Sequence, residues 1–299
     1  MRLTIRHETR YTYAEPATHA IQCLRLTPRS HDGQFVRSWR LSVGADAKLE
    51  KREDGFGNIV HTVFAEGPLD ELIITAEGEV DTDDRFGIAA GTIERQPPGV
   101  FLSPTRLTMP TPEIDAFALA ARDRNHGEPL ATLHDLMAAI KSTMEFQPGM
   151  TSSATTAGEA FAARTGVCQD FAHVFLAACR RLGVPGRYVA GHYLRTDGPE
   201  QTAGHAWAEA YIDVIGWVGF DPANDTCATE RHVRIAVGRD GLDAAPVRGA
   251  RTGGGEETMT VAVQVAERRP PDLIAPLPVL PELPDPIQPV QSQSQSQSQ

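Results

Sequence analysis

Four cysteines and ten histidines supply the candidate nucleophiles and bases of this 299-residue chain. Cys23, Cys168, Cys179 and Cys227 show no C-x-x-C spacing, so neither a zinc site nor a disulfide-stapled secreted domain is expected. Cys168 stands apart by its context. After it, Phe171, Phe175, Ala178, Cys179 and Leu182 recur on one apolar helical face, and Gly183 and Pro185 end the pattern. Thr165-Gly166 breaks the chain just before it. Cys168 is therefore expected in the first turn of a buried helix, where free amide N–H groups and the helix dipole favour an anion. A thiolate is the reactive form of cysteine, and the same N–H groups would hold an oxyanion once it attacked a carbonyl. Cys179 faces inward and reads as packing. Cys23 lies in a strand pattern and reads as a small buried hydrophobe, and Cys227 as an incidental loop residue.

A thiol needs a base, and the base needs a partner that fixes its tautomer. Gly204-His-Ala-Trp-Ala-Glu-Ala-Tyr-Ile212 alternates as a strand, with His205, Trp207, Glu209 and Tyr211 on one face. Asp213-Val-Ile-Gly216 turns the chain, and Trp217 to Asp221 returns as a second strand that Pro222 stops. If Ile212 faces Gly216 across a three-residue loop, Asp221 lies opposite Trp207 and diagonal to His205 on the same face. A loop of even length without a bulge would put the two on opposite faces. His192, after Tyr188-Val-Ala-Gly191, and His173, on the cysteine's own helix, are competing bases. Asp170, an acid in the first helical turn, suits local hydrogen bonding. No calcium-loop pattern occurs, so neither a metal nor a cofactor is expected.

The elements that must position these residues fall into two patterns. Residues 1 to about 85 read as short strands: Arg2–Tyr13 with Leu3, Ile5, His7, Thr9, Tyr11 and Tyr13 on one face, then Ile21–Leu26, Phe35–Val43, Ile59–Phe64 and Leu72–Val80. After Pro97-Pro98 the period becomes helical. Thr111-Pro112 marks a helix start, Leu130–Met144 a second helix, and Thr156-Ala-Gly-Glu159 a capping box. Residues 270–290 hold eight prolines and residues 291–299 alternate Gln and Ser, a composition expected to be disordered. The formal net charge of −11 argues against nucleic-acid binding. The charged N-terminus and the lack of a long apolar run point to a cytoplasmic protein without a membrane segment.

With these residues in hand, the chain resembles the bacterial transglutaminase-like family, a branch of the papain-like cysteine enzymes. Three blocks carry the likeness in order: Gly166–His173 continuing into Leu182–Val189, then Gly204–Glu209, then Gly216–Pro222. Gly241 departs from it, standing where an aromatic residue is expected. The resemblance implies an α+β fold: a papain-like transglutaminase core, its cysteine helix packed on an antiparallel sheet bearing histidine and aspartate, preceded by a β-rich N-terminal domain. Domains are expected at 1–100 and 101–265, with the tail at 266–299. It also implies Cys168 as nucleophile, His205 as general base and acid, and Asp221 as the histidine's partner. The expected reaction attacks an amide carbonyl of a protein, peptide or other amide to give a thioester. Hydrolysis, as in a peptidase or amidase, or transamidation, as in an acyltransferase, then follows. A non-catalytic peptide-binding module on the same fold is the alternative. Acyl transfer from a thioester cofactor is disfavoured, because no phosphate-cradling glycine loop is present.

Overall fold

The computed structural model describes residues 1–268, so the expected disordered tail lies outside the described residues, apart from its first three positions. The chain begins with four strands: β1 (Arg2–Thr27), β2 (Gln34–Val43), β3 (Ala47–Glu53) and β4 (Ile59–Thr82). Helices α1 (Pro112–Arg124) and α2 (Pro129–Thr143) follow, then β5 (Glu145–Phe146), α3 (Ala157–Ala163), β6 (Thr165–Gly166) and α4 (Cys168–Arg181). The rest is β7 (Gly186–Tyr193), β8 (Glu200–Gln201), β9 (His205–Ile212), β10 (Gly216–Asp221), β11 (Thr226–Cys227), β12 (His232–Gly238), β13 (Val247–Gly253) and β14 (Glu257–Glu267). Among the described residues no helix is long and apolar enough to cross a membrane.

The first sheet runs β2-β4-β1-β14-β8, with β13 also on β1 and β3 also on β4. Its strands are longer than the sequence suggests. The segments expected as Arg2–Tyr13 and Ile21–Leu26 are one strand, and so are those expected as Ile59–Phe64 and Leu72–Val80. The turn-like residues between them do not turn the chain. They form an irregularity where β1 and β4 shift register together between Thr12 and His19, and Pro16 and Pro68 both fall there. A proline is tolerated at a bulge because that position needs no ladder N–H. The alternation along β1 holds: Leu3, Ile5, His7, Thr9, Tyr11 and Tyr13 are all buried. Strands β13 and β14 pair with β1, as in Leu3↔Glu267, so the end of the described chain completes the sheet that its start lays down.

Helix α4 is buried on every side. Phe171, Val174, Phe175, Leu176 and Ala177 are wholly enclosed, with α1, α2 and α3 around one flank and the second sheet on the other. That sheet has the order β11-β10-β9-β7-β12. Ala206, Ala208 and Ala210 face the helix from β9, and such small side chains allow close approach. Phe175 stacks on Phe220 of β10 with ring centroids 5.2 Å apart. Burying rings of this size contributes roughly 2–3 kcal/mol each. At the far end of α4 the buried Arg180 guanidinium donates to the carbonyls of Phe101, Gly186 and Arg239 and fixes the helix lengthwise. The helix starts follow the sequence: Thr111 Oγ1 accepts from Ile114 N, and Thr156 and Glu159 cap each other.

Candidate active site

Cys168 is the first residue of α4. Val167 N donates to Asp170 Oδ2 at 2.8 Å, and Thr151 Oγ1 donates to the same oxygen at 2.7 Å. Asp170 thus pins the entry to the helix. Burial is the largest influence on its carboxyl and raises it above the ordinary value, against the opposing effect of these donors. Gly166 is required here by close approach, since a Cβ would lie 2.7 Å from the Asp170 carboxylate. The amides of Asp170 and Phe171 both donate to Val167 O, leaving those of Cys168 and Gln169 without a helix carbonyl. They belong to the same helical turn as the half-buried thiol.

The second half of the site comes from β9 and β10, joined by Asp213-Val214-Ile215. Ile212 pairs with Gly216 and Ala208 with Phe220, which sets Asp221 opposite Trp207 and diagonal to His205. The three-residue loop works because Val214 and Gly216 adopt positive φ of 74° and 93°. His205 Nε2 donates to Asp221 Oδ2 at 2.6 Å, and the Cys168 side chain lies close enough to the same imidazole to favour its charged form. Since Nε2 faces the aspartate, Nδ1 is left for the sulfur. Burial is the largest single influence on His205 and works against its charged form. The charge and hydrogen bond of Asp221, together with Cys168, override it and raise the imidazole above its ordinary value.

Asp221 is saturated with donors. Pro222 ends the strand and the chain folds back, so that the amides of Ala223 and Asn224 donate to Oδ1 at 3.1 and 3.3 Å. Oδ2 accepts from Asn224 Nδ2 at 2.7 Å as well as from His205. Lys141 of α2 holds this turn by donating to Ala223 O at 2.7 Å. Asp221 is fully enclosed, and burial alone would raise its carboxyl. His205 and His232 reverse that and hold it far below the ordinary carboxylate range. Asn224 and His232 escaped the sequence reading. The Asp-Pro-x-Asn spacing marks the first in retrospect, as an aspartate whose side chain caps the turn after it. Nothing local marks the second.

Two family models match the chain in succession. The bacterial transglutaminase-like N-terminal region matches residues 3–81, and the transglutaminase-like superfamily core matches residues 118–222, a span that holds Cys168, His205 and Asp221. The chain belongs to the bacterial transglutaminase-like family. An uncharacterised protein of Mycobacterium leprae is 31% identical over 277 residues, covering 88% of this chain and 98% of its own length. Another from Mycobacterium tuberculosis is 32% identical over 273 residues, covering 83% of this chain and 87% of its own. Among solved structures, a candidate cysteine protease from Cytophaga hutchinsonii superposes with a TM-score of 0.69 at 24% identity, over 89% of this chain and 90% of the other. That likeness shows a shared fold.

The competing residues of this transglutaminase-like protein lie elsewhere. His192 of β7 is buried with neither ring nitrogen hydrogen-bonded, its ring 5.4 Å from that of His7. His173 is buried in α4, and its Nε2 accepts from Gly241 N at 3.0 Å. Gly241 therefore sits beside the first turn of the cysteine helix, where a Cβ would come within 3.1 Å of Gln169 Oε1. Cys179 is fully buried, and burial pushes its thiol up, out of the ionising range. Cys23 is only half-buried, unlike the enclosed hydrophobe expected, with Arg25 Nη1 3.6 Å from its sulfur. Cys227 lies in the short β11 and not in a loop.

Donor atoms of His205, Asp221 and His232 lie within 4.8 Å of one another, a spacing that a metal ion could use. The His232 ring opposes this. Its Nδ1 accepts from Thr229 N at 3.0 Å, so in the neutral ring the proton sits on Nε2, the atom that faces Asp221. A protonated nitrogen has no lone pair for a metal.

Proposed function

We propose that the protein is a cysteine enzyme that cleaves or exchanges amide bonds through Cys168, His205 and Asp221. The observation that carries this reading is one imidazole that donates to a buried, fully hydrogen-bonded carboxylate and lies beside a thiol at a helix N-terminus. In the first half-reaction the Cys168 sulfur attacks the amide carbonyl carbon, and the carbonyl electrons move onto oxygen. The amides of Cys168 and Gln169, which have no helix carbonyl to donate to, would stabilise that oxyanion. The C–N bond then breaks, the proton held on His205 passes to the departing amine or ammonia, and a thioester remains. In the second half, water or an amine gives a proton to His205 and attacks the thioester, regenerating the thiolate. Asp221 keeps one imidazole nitrogen protonated and the other turned to the sulfur throughout.

The family and the cysteine-protease candidate that shares the fold support a thiol enzyme. We assign a protein or peptide amide as the substrate class. A panel of glutamine-containing peptides, scored for ammonia release and for incorporation of a tagged primary amine, tests the reading and separates the two fates of the thioester. Ammonia release without amine incorporation indicates hydrolysis, and incorporation indicates transamidation. Both vanish in Cys168→Ala. Turnover that survives Cys168→Ala would refute the assignment.

A further inference from the structure

His232 is not accounted for by the reaction above, yet it touches its central carboxylate. It is the first residue of β12, which pairs with β7 and stands two strands away from β9 in strand order. From there its Nε2 lies 3.2 Å from Asp221 Oδ2, the oxygen that also receives His205. Gly191 of β7 leaves room for the ring that packs against His232. A Cβ there would lie 2.7 Å from the Trp207 ring, which packs edge-on to His232 with centroids 5.1 Å apart. Tyr193 covers His232 at 4.7 Å, and only 2% of its side chain is exposed.

The ring's protonation pattern is set from the other end. His232 Nδ1 accepts from Thr229 N at 3.0 Å, and Thr229 O accepts in turn from His232 N at 3.0 Å. An acceptor at Nδ1 leaves the proton of the neutral ring on Nε2, directed at Asp221. We propose that His232 is a positioning residue for the catalytic set: a neutral Nε2–H imidazole that donates to Asp221 Oδ2 and holds that carboxylate against His205. This rests on the proposed roles of Cys168, His205 and Asp221. Neutrality matters, because a charged His232 would oppose the imidazolium form of His205, whose ring centroid is 6.0 Å away. Burial, the largest influence on His232, holds it below the ordinary imidazole value despite Asp221.

Two variants and one spectrum test this. His232→Leu keeps the bulk and removes the donor, whereas His232→Gln keeps an N–H donor. The expected result is that Leu slows iodoacetamide labelling of Cys168 at neutral pH by about tenfold, the worth of one hydrogen bond to a charged group. Its pH profile shifts, and Gln recovers most of the rate. Histidine-selective ¹H–¹⁵N spectra of the wild-type chain are expected to show His232 protonated on Nε2 and not on Nδ1, a result that needs no variant to fold. Wild-type labelling in the Leu variant, equal losses in Leu and Gln, or a proton on Nδ1 would each overturn the proposal. If wild-type Cys168 itself labels no faster than Cys23, the catalytic reading has failed instead. The spectrum still reports the His232–Asp221 contact in that case.

Discussion

Replacing Glu209 by Gln should destabilise the protein by roughly 3–5 kcal/mol, the cost of breaking one side of a buried ion pair. Glu209 lies on β9 four residues after His205, with 2% of its side chain exposed. Its Oε2 accepts from Arg187 Nε at 2.6 Å and its Oε1 from Arg234 Nε at 2.8 Å. Arg187 is equally enclosed, lies over the Trp217 ring at 4.0 Å, and among the described residues has only the partly exposed Glu94 as a further acidic partner. Neutralising Glu209 therefore leaves a buried guanidinium under-compensated. Linkage gives a similar figure. Burial alone would raise the Glu209 carboxyl, but the two guanidiniums lower it from its ordinary value of 4.5 to about 2. That difference is worth about 3 kcal/mol of folded stability. Because the folded value is the depressed one, this stability is complete above pH 4.5 and is lost as pH falls toward 2. Urea unfolding followed by tryptophan fluorescence should show the deficit at pH 7 and its disappearance toward pH 2. In heat, a chain of this size should melt about 6–20 °C lower. Replacing the pair together, as Glu209→Leu with Arg187→Met, should recover much of the loss. A Glu209→Gln variant within about 1 kcal/mol of wild type at pH 7 would mean that Glu209 is not a buried partner of Arg187, since that is the worth of a solvated pair.

Three further expectations follow from packing and titration. Phe175→Ala should cost about 3–5 kcal/mol in urea unfolding, because the cavity opens in the enclosed heart of α4; a cost under 1 kcal/mol would mean that the helix is not buried as described. Gly166→Ala should cost about 1–3 kcal/mol and slow Cys168 labelling, since its Cβ would displace the Asp170 carboxylate that pins the helix entry; normal melting and labelling would contradict this. Acidification should weaken the fold well above the range of Glu209. Burial lowers His7 and His173 from 6.5 to about 4, so between those values the unfolded chain binds protons that the folded chain refuses. Their contribution is complete above pH 6.5 and lost as pH falls to about 4, by up to about 3 kcal/mol per ring. Unfolding midpoints that stay flat from pH 7 to 4.5 would refute it.

The parts of the site read from sequence were those that local chemistry fixes. Thr165-Gly166 before a helical apolar face placed the start of α4 at Cys168. Alternation on either side of Asp213–Ile215 gave a register that the Ile212↔Gly216 pairing matches. Long-range geometry left no such mark. Pro16 and Pro68 look like turn residues because proline usually ends a strand, and only the shared kink of β1 and β4 keeps both within the sheet. β3 carries Lys48, Glu50, Lys51, Arg52 and Glu53 around a single leucine, so its pairing with β4 has no apolar alternation to announce it. β14 pairs with a strand more than two hundred residues earlier in the chain. His232 reaches Asp221 only because the second sheet brings distant strands together, and no spacing rule predicts that.

The most direct test of the central claim is the pH dependence of iodoacetamide labelling at each cysteine, mapped by mass spectrometry. It compares wild type with His205→Ala, Asp221→Asn and Cys168→Ala. A thiol without an imidazole beside it is only a few per cent ionised at neutral pH, so the partnered thiol should label at least about tenfold faster. Selective labelling of Cys168 near neutral pH is expected, slowed by His205→Ala and to a lesser degree by Asp221→Asn, with no fast site left in Cys168→Ala. Labelling of Cys168 at the rate of Cys23 or Cys227, or a rate indifferent to the loss of His205, would contradict the thiol–imidazole pair on which the proposed chemistry stands.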